Sequence, residues 1–329
     1  MQAEAQAQPN IALVKYWGKR DAALNLPAVG SISITLDSLV TRTRVQFDEQ
    51  LETDQVTLDG VTNVEEKNRI GRFVELFREL AGIHCFAYVN SANNFPTGAG
   101  LASSASGFAA LAVACDAALS LKLDNRKLSE LARRGSGSAA RSLLGGFVEW
   151  HLGQEADGSD SVAKALRDST SWPLQTIIAI TSYDRKSVGS SRGMNLTMET
   201  SPFYSSWVEN QSADLDVARS AIKNQDFESL AEVSEFSCLK MHASALAARP
   251  GLIYWNAASL ACMQVIRQMR AQGNGVFFTI DAGPQVKAIC LPETADSVAK
   301  TLAEVPGVED VLRTGLGNGA RVCTDKDAC

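Results

Sequence analysis

Between residues 96 and 105 the chain reads Pro-Thr-Gly-Ala-Gly-Leu-Ala-Ser-Ser-Ala, placing two glycines and two serines where an apolar, strand-like run gives way to small helix-forming residues. The turn sits between a strand-like run and a helix of small side chains, as in a chain of mixed α+β pattern. It also aims backbone N–H groups and a helix start at one point, and the glycines let an anion come close to the backbone. The pattern is neither the dinucleotide fingerprint G-x-G-x-x-G with a later acidic residue nor the G-x-x-x-x-G-K-[ST] loop, so a nicotinamide cofactor is not indicated. A tight packing turn is the plain alternative for a lone Gly-x-Gly; Ser103 and Ser104 just inside the helix shift the balance toward a phosphate site. Pro96, Gly98, Gly100, Leu101, Ala102, Ser103 and Ser104 are the expected phosphate-binding residues, with Ser104, or Ser103, as a candidate Mg²⁺ ligand.

The flanking periodicities give a mixed α+β chain. Ile11 to Trp17, Ser31 to Leu36, Thr41 to Phe47, Val56 to Leu58 and Cys85 to Val89 predict strands, and Glu65 to Leu80 predicts a helix. Helices are expected from Leu101 to Leu119 and from Arg126 to Arg134, and a strand from Gly145 to Trp150. The polar stretch Gln154 to Asp160 marks a boundary between two lobes, taken as 1–165 and 166–329. The second half predicts a strand at Leu174 to Thr181 and helices from Pro202 to Asn224, Glu228 to Leu246 and Ile253 to Gln272. Strands at Val276 to Ile280 and Val286 to Leu291, a helix from Glu293 to Ala303 and a strand near Val311 complete it.

The net charge of −6 disfavours wholesale binding of nucleic acid or anionic membrane, so any anion site must be a local basic pocket. Seven scattered cysteines with no C-x-x-C pair read as reduced, buried hydrophobes. His84, His151 and His242 are too dispersed to form a metal cluster. There is no signal-like N-terminus and no membrane-length apolar run, so a cytoplasmic protein is expected.

Three further segments carry chemistry. Lys15-Tyr16-Trp17-Gly18-Lys19-Arg20 sets three cations at the end of an apolar strand, either a solvated strand end or a phosphate clamp using Lys15, Lys19 and the Tyr16 hydroxyl. Gly135-Ser136-Gly137-Ser138, closing on Arg141, offers hydroxyls and a guanidinium together, and Ser187 to Gly193 repeats the theme with Ser190, Ser191 and Arg192. Three such segments in an acidic chain imply a polyphosphorylated ligand. Asp281, before Ala282-Gly283-Pro284, is either a turn cap or a base kept ionised by nearby cations.

Taken in order, Lys15 to Lys19, Asn94-Phe95-Pro96-Thr97 running into Gly100 to Ser104, Gly135 to Ser138 with Arg141, and Asp281-Ala282-Gly283-Pro284 resemble the mevalonate diphosphate decarboxylase family over most of the chain. The resemblance implies a two-lobed GHMP-kinase fold, with a left-handed βαβ crossover in the first lobe, against the usual right-handed rule, and a ferredoxin-like second lobe. It implies (R)-5-diphosphomevalonate, ATP and Mg²⁺ as ligands, and a homodimer. It assigns Asp281, Lys15 and Arg141 to catalysis, and Tyr16, Lys19, Asn25, Ser136, Gly137, Ser138, Ser190 and Arg192 to the substrate. Ser91 and Asn93 would contact adenine. The chain departs from the family at Val29-Gly30, where Asn-Ser is common, at Gly189 for Ser, and at Gln285 for Asn. A decarboxylase of the 5-monophosphate and a kinase that stops at the 3-phosphate are the near alternatives, and a non-catalytic ligand-binding protein the remote one.

Overall fold

The computed structural model describes residues 1–95, 101–184 and 186–324. In its first half the chain forms strands β1 (Gln2–Ala7), β2 (Asn10–Val14), β3 (Lys19–Asp21), β4 (Leu26–Pro27), β5 (Ser31–Thr35), β6 (Thr41–Asp48) and β7 (Gln55–Leu58). Helix α1 (Val64–Ala81), β8 (Phe86–Asn93), α2 (Ser103–Leu119), α3 (Asn125–Gly135), α4 (Ala139–Ser142), β9 (Phe147–Trp150) and β10 (Ala163–Arg167) follow. The second half contains β11 (Gln175–Ile180), α5 (Ser190–Thr200), α6 (Tyr204–Glu209), α7 (Gln211–Asn224), α8 (Phe227–Leu246) and α9 (Ala257–Ala271). It ends with β12 (Val276–Thr279), β13 (Val286–Cys290), α10 (Ala295–Ala303), β14 (Asp310–Thr314) and β15 (Arg321–Val322).

The strands assemble into sheets of order β15-β1-β6-β8-β7, β10-β9-β5-β2 and β12-β13-β11-β14, with β3 and β4 as a separate pair. Within the first sheet β7 and β8 run parallel across α1, while the last strand β15 pairs with β1, Ala5 opposite Val322. Helix α2 packs on β1 and β6. Its alanines explain both its formation and its placement: they are the best helix formers, and their short side chains let it sit close against the sheet. Ala105, Ala109, Ala110, Ala112 and Ala114 are all buried, as are Ala5 and Ala7 on the facing strand.

The first core lies between that sheet and α1 to α3, and includes Val45, Phe73, Phe77, Val89 and Phe108. The second joins the halves, with Ile11, Leu13, Ile32 and Ile34 packing with Ile178, Leu215, Ile222, Leu230 and Phe277. The predicted elements recur with shifted ends. The expected helix from Pro202 to Asn224 is two helices, α6 and α7, meeting at Asn210. The strand expected to run to Trp17 ends at Val14, and the helix expected from Ile253 begins at Ala257.

Candidate active site

The ends of β2 and β12 meet below one cleft. Lys15 follows β2 and is 1% exposed; its Nζ donates to the Ala12 carbonyl at 2.8 Å and to Asp281 Oδ1 at 2.6 Å. The other carboxylate oxygen lies 3.8 Å from Nζ of Lys287, the second residue of the fully buried β13. Burial alone would raise the Asp281 pKa, but Lys15 and Lys287, with Arg141 further off, outweigh it and hold the carboxyl below its ordinary range. The side chain remains an anion at neutral pH. Helix α8 braces this floor: the Ser237 hydroxyl accepts from the Lys15 backbone N–H at 3.0 Å, and Cys238 Sγ accepts from the Ile280 N–H at 3.2 Å.

Arg141, 2% exposed, is fixed by donating from Nε to Asn10 Oδ1 at 3.1 Å and from Nη1 to the Ser31 hydroxyl at 2.6 Å. Asn10 in turn donates to the Ser138 carbonyl at 2.9 Å, tying the Ser-Gly-Ser turn to β2. Burial pushes the Arg141 pKa down to about 10, with Asp281 and Tyr16 opposing the fall, so the guanidinium stays charged at neutral pH. Tyr16 stacks edge-on against Trp150, and its buried hydroxyl has no partner among the described residues. Burial drives that phenol well above its usual pKa, so it is a neutral donor awaiting an acceptor. Gly137 is required beside it, because a Cβ there would come within 2.8 Å of the Tyr16 oxygen.

The cleft above encloses about 1310 Å³. Lys15, Tyr16, Lys19, Asn25, Ser136, Gly137, Ser138, Arg141, Ser190, Arg192 and Asp281 all line it, as do Ser91, Asn93, Ala102, Ser103 and Ser104. Leu101 instead packs in the second core, and Pro96, Gly98 and Gly100 lie outside the described residues. Asn93 is held by Asp59 and Thr41, Ser91 by Thr43, and Asn25 by the Arg134 carbonyl. The Ser104 and Ser136 hydroxyls approach to 3.4 Å, so the α2 start and the Ser-Gly-Ser turn face one another across the cleft.

Three cations were not singled out in the sequence. Lys186 reaches the Ser190 hydroxyl at 2.9 Å and the Ala282 carbonyl at 3.1 Å, and burial lowers its pKa against the pull of Asp281. Arg69 of α1 donates to the Gly135 carbonyl at 3.0 Å and helps depress the pKa of Lys19, which burial lowers first. Lys287 is the third. Its signal was available: a lysine within Val286-Lys287-Ala288-Ile289-Cys290 interrupts an otherwise apolar strand, and a cation there needs an internal partner. Of the departures from the family pattern, Val29 is buried in a core with Trp17 and Trp207. Gln285 accepts from the Thr181 N–H at 2.7 Å and donates to the Ser182 carbonyl, a bracing role within the second half.

One anion set among four buried or half-buried cations leaves a surplus of positive charge in a protein of net charge −6. An enzyme of two-lobed α+β fold that handles a polyanionic substrate is the class this cleft defines. Known proteins narrow that class. Residues 7–163 match the diphosphomevalonate decarboxylase-like N-terminal domain, and residues 176–320 match the mevalonate 5-diphosphate decarboxylase C-terminal domain. The human diphosphomevalonate decarboxylase is 37% identical over 91% of this chain and 78% of its own length. The solved mevalonate diphosphate decarboxylase from Enterococcus faecalis, described for mevalonate diphosphate mediated ATP binding, superposes with a TM-score of 0.90 at 40% identity, covering 98% of this chain and 99% of that one. A related complex with MVAPP, AMPPCP and magnesium gives 0.91 at 40% identity over the same shares. The chain belongs to the diphosphomevalonate decarboxylase family, and its two-domain α+β fold is that of the family's solved structures.

Proposed function

We propose that the chain catalyses the ATP- and Mg²⁺-dependent decarboxylation of (R)-5-diphosphomevalonate to isopentenyl diphosphate, releasing ADP, phosphate and CO₂, in the mevalonate route to isoprenoids. The observation that carries this reading is the Asp281 carboxylate clamped by lysines at the floor of the cleft, with Arg141 fixed nearby. Asp281 orients the tertiary 3-hydroxyl and accepts its proton as that oxygen bonds to the γ-phosphorus and the bond from phosphorus to the bridging oxygen breaks, its electron pair leaving with ADP. Lys15, and Lys186 beside it, offset the charge gathering on the transferring group. The new 3-phosphate then departs with the C3–O electron pair; the C1–C2 pair becomes the C2–C3 double bond, and CO₂ leaves. Arg141 grips the C1 carboxylate until that step.

Tyr16, Lys19, Asn25, Ser136, Gly137, Ser138, Ser190 and Arg192 hold the rest of the substrate, and the orphaned Tyr16 hydroxyl supplies a donor suited to a phosphate oxygen. Ser91 and Asn93 line the nucleotide end. Ser103 and Ser104 present hydroxyls at the start of a 17-residue helix, and such an oxygen donor fits a Mg²⁺ whose other ligands are phosphate oxygens and water. When bound, the ion screens phosphate charge during transfer. The same reading takes 1–165 as the nucleotide-binding lobe and 166–329 as the lobe bearing Asp281, with a left-handed crossover in the first and a ferredoxin-like second. It also takes the enzyme as a cytoplasmic homodimer. No helix among the described residues is long and apolar enough to cross a membrane.

The test supplies ATP, Mg²⁺ and either 5-diphosphomevalonate or 5-phosphomevalonate, and measures ADP and CO₂ together. Equal yields from the diphosphate are expected, with both rates falling about 10³-fold in Asp281→Asn, the scale of a lost general base. ADP without CO₂ would mark a 3-kinase, and turnover of the monophosphate alone a different substrate.

A further inference from the structure

Lys287 has no place among the groups that reach the substrate. It does not line the cleft and is wholly buried, yet its ammonium lies 3.8 Å from the Asp281 oxygen that Lys15 does not hold. A cation on the interior of a β-strand carries a large desolvation cost unless an anion offsets it. Its sheet neighbours make the placement more telling: Thr279 of β12 and Ile178 of β11 stand opposite it. An uncharged side chain there would complete an ordinary apolar layer.

We propose that Lys287 is a positioning residue for the decarboxylation, acting from beneath the cleft floor on the second oxygen of Asp281 so that the carboxylate stays ionised and fixed in direction toward the substrate hydroxyl. The inference rests on Asp281 being the group that receives the hydroxyl proton. Lys15 grips one oxygen and Lys287 steadies the other, which limits rotation of the carboxylate about its Cβ–Cγ bond. Burial pushes the Lys287 ammonium down to about 8, with Asp281 holding it up and Lys15 and Lys186 adding to the fall. Several ionisable groups among the described residues act on this pair. Lys15 stands after β2, Arg141 on α4, Lys186 in the segment between β11 and α5, and Cys238 and His242 on α8. Burial keeps the thiol and the imidazole neutral near pH 7, so the lysines and Arg141 set the field on Asp281.

The variants are Lys287→Met, which keeps the length and drops the charge, and Lys287→Arg, which keeps the charge. The readout is kcat/KM for 5-diphosphomevalonate against pH, beside Asp281→Asn. With one cation fewer, the Asp281 pKa rises, so its protonated, inactive form persists to higher pH. The acid limb of the Lys287→Met profile should therefore move up by about one pH unit, and the limb of Lys287→Arg should stay near that of the parent. An unmoved limb in Lys287→Met, with Asp281→Asn inactive, overturns the inference; full activity in Asp281→Asn overturns the role of Asp281 instead. Should Lys287→Met alone not fold, the melting temperatures of Asp281→Asn and Asp281→Asn/Lys287→Met decide. In Asp281→Asn the buried ammonium has lost the carboxylate that favours its charge, so the double variant should melt no lower than the single one. A clearly lower melting temperature means Lys287 serves packing only.

Discussion

At the scale of single residues, the floor of the site rests on an imidazole kept neutral. His242 on α8 is buried against Trp255, and because the Ile280 carbonyl can only accept, its Nε2 carries the proton across their 3.2 Å contact. Burial lowers the His242 pKa to about 3, with Lys15 and Lys287 adding to the fall while the Ile280 bond and Asp281 resist it. In the unfolded chain the ring titrates near its ordinary value of about 6.5. Between these values the unfolded state binds the extra proton, so stability is full above about pH 6.5 and drops as pH falls, by up to about 1.4 kcal/mol per pH unit. Chemical denaturation from pH 7 to pH 5 should show this slope, and His242→Gln should flatten it. Gly137→Ala, which sets a methyl 2.8 Å from the Tyr16 oxygen and 3.0 Å from the Trp150 ring, should cost about 1–3 kcal/mol in denaturant titrations and raise the KM for the diphosphate. Groups that announce themselves by type and setting, such as Lys15, Arg141 and Asp281, were legible in the sequence. Lys186 and Arg69 were not, because a cation next to a polar segment or on an amphipathic helix is the commonest kind of surface residue, and only tertiary packing turns it toward a ligand.

At the scale of elements, α2 and α8 carry most of the placement. Alanine is packed against alanine where α2 crosses β1, and Ala109 is fully buried. Ala109→Leu should therefore overpack the layer and lower stability by about 1–3 kcal/mol, read as a shift of the denaturation midpoint. Helix α8 holds Lys15 through Ser237 and the end of β12 through Cys238, so its position couples the two strands that meet at the site. Its apolar spacing made it readable in advance. Strand β1 was not foreseen, because Gln-Ala-Glu-Ala-Gln-Ala has little β-propensity and owes its strand to pairing with β6 and to the nearness of α2. Helix α5 was read as an anion-binding segment rather than a helix, since Ser-Ser-Arg-Gly at its start shows no apolar period.

For the whole molecule, the halves share a core and an ion pair. Glu149 of β9, 2% exposed, accepts two bonds from Arg219 of α7, at 3.0 and 2.6 Å. Arg219→Ala removes both short bonds and leaves that buried carboxylate with His151 Nδ1 at 3.9 Å, and a loss of about 1–3 kcal/mol is expected. Because Ile11 and Ile32 pack with Leu215 and Phe277, calorimetry of the parent should show one cooperative transition rather than one per lobe. The pairing of β15 with β1 has a consequence for synthesis. Strand β1 is made early, yet one edge of it finds Val322 and the Cys323 N–H only after more than three hundred further residues have been translated. Until β15 arrives, that side of β1 is an open sheet edge, the kind of surface able to pair with another unfinished chain.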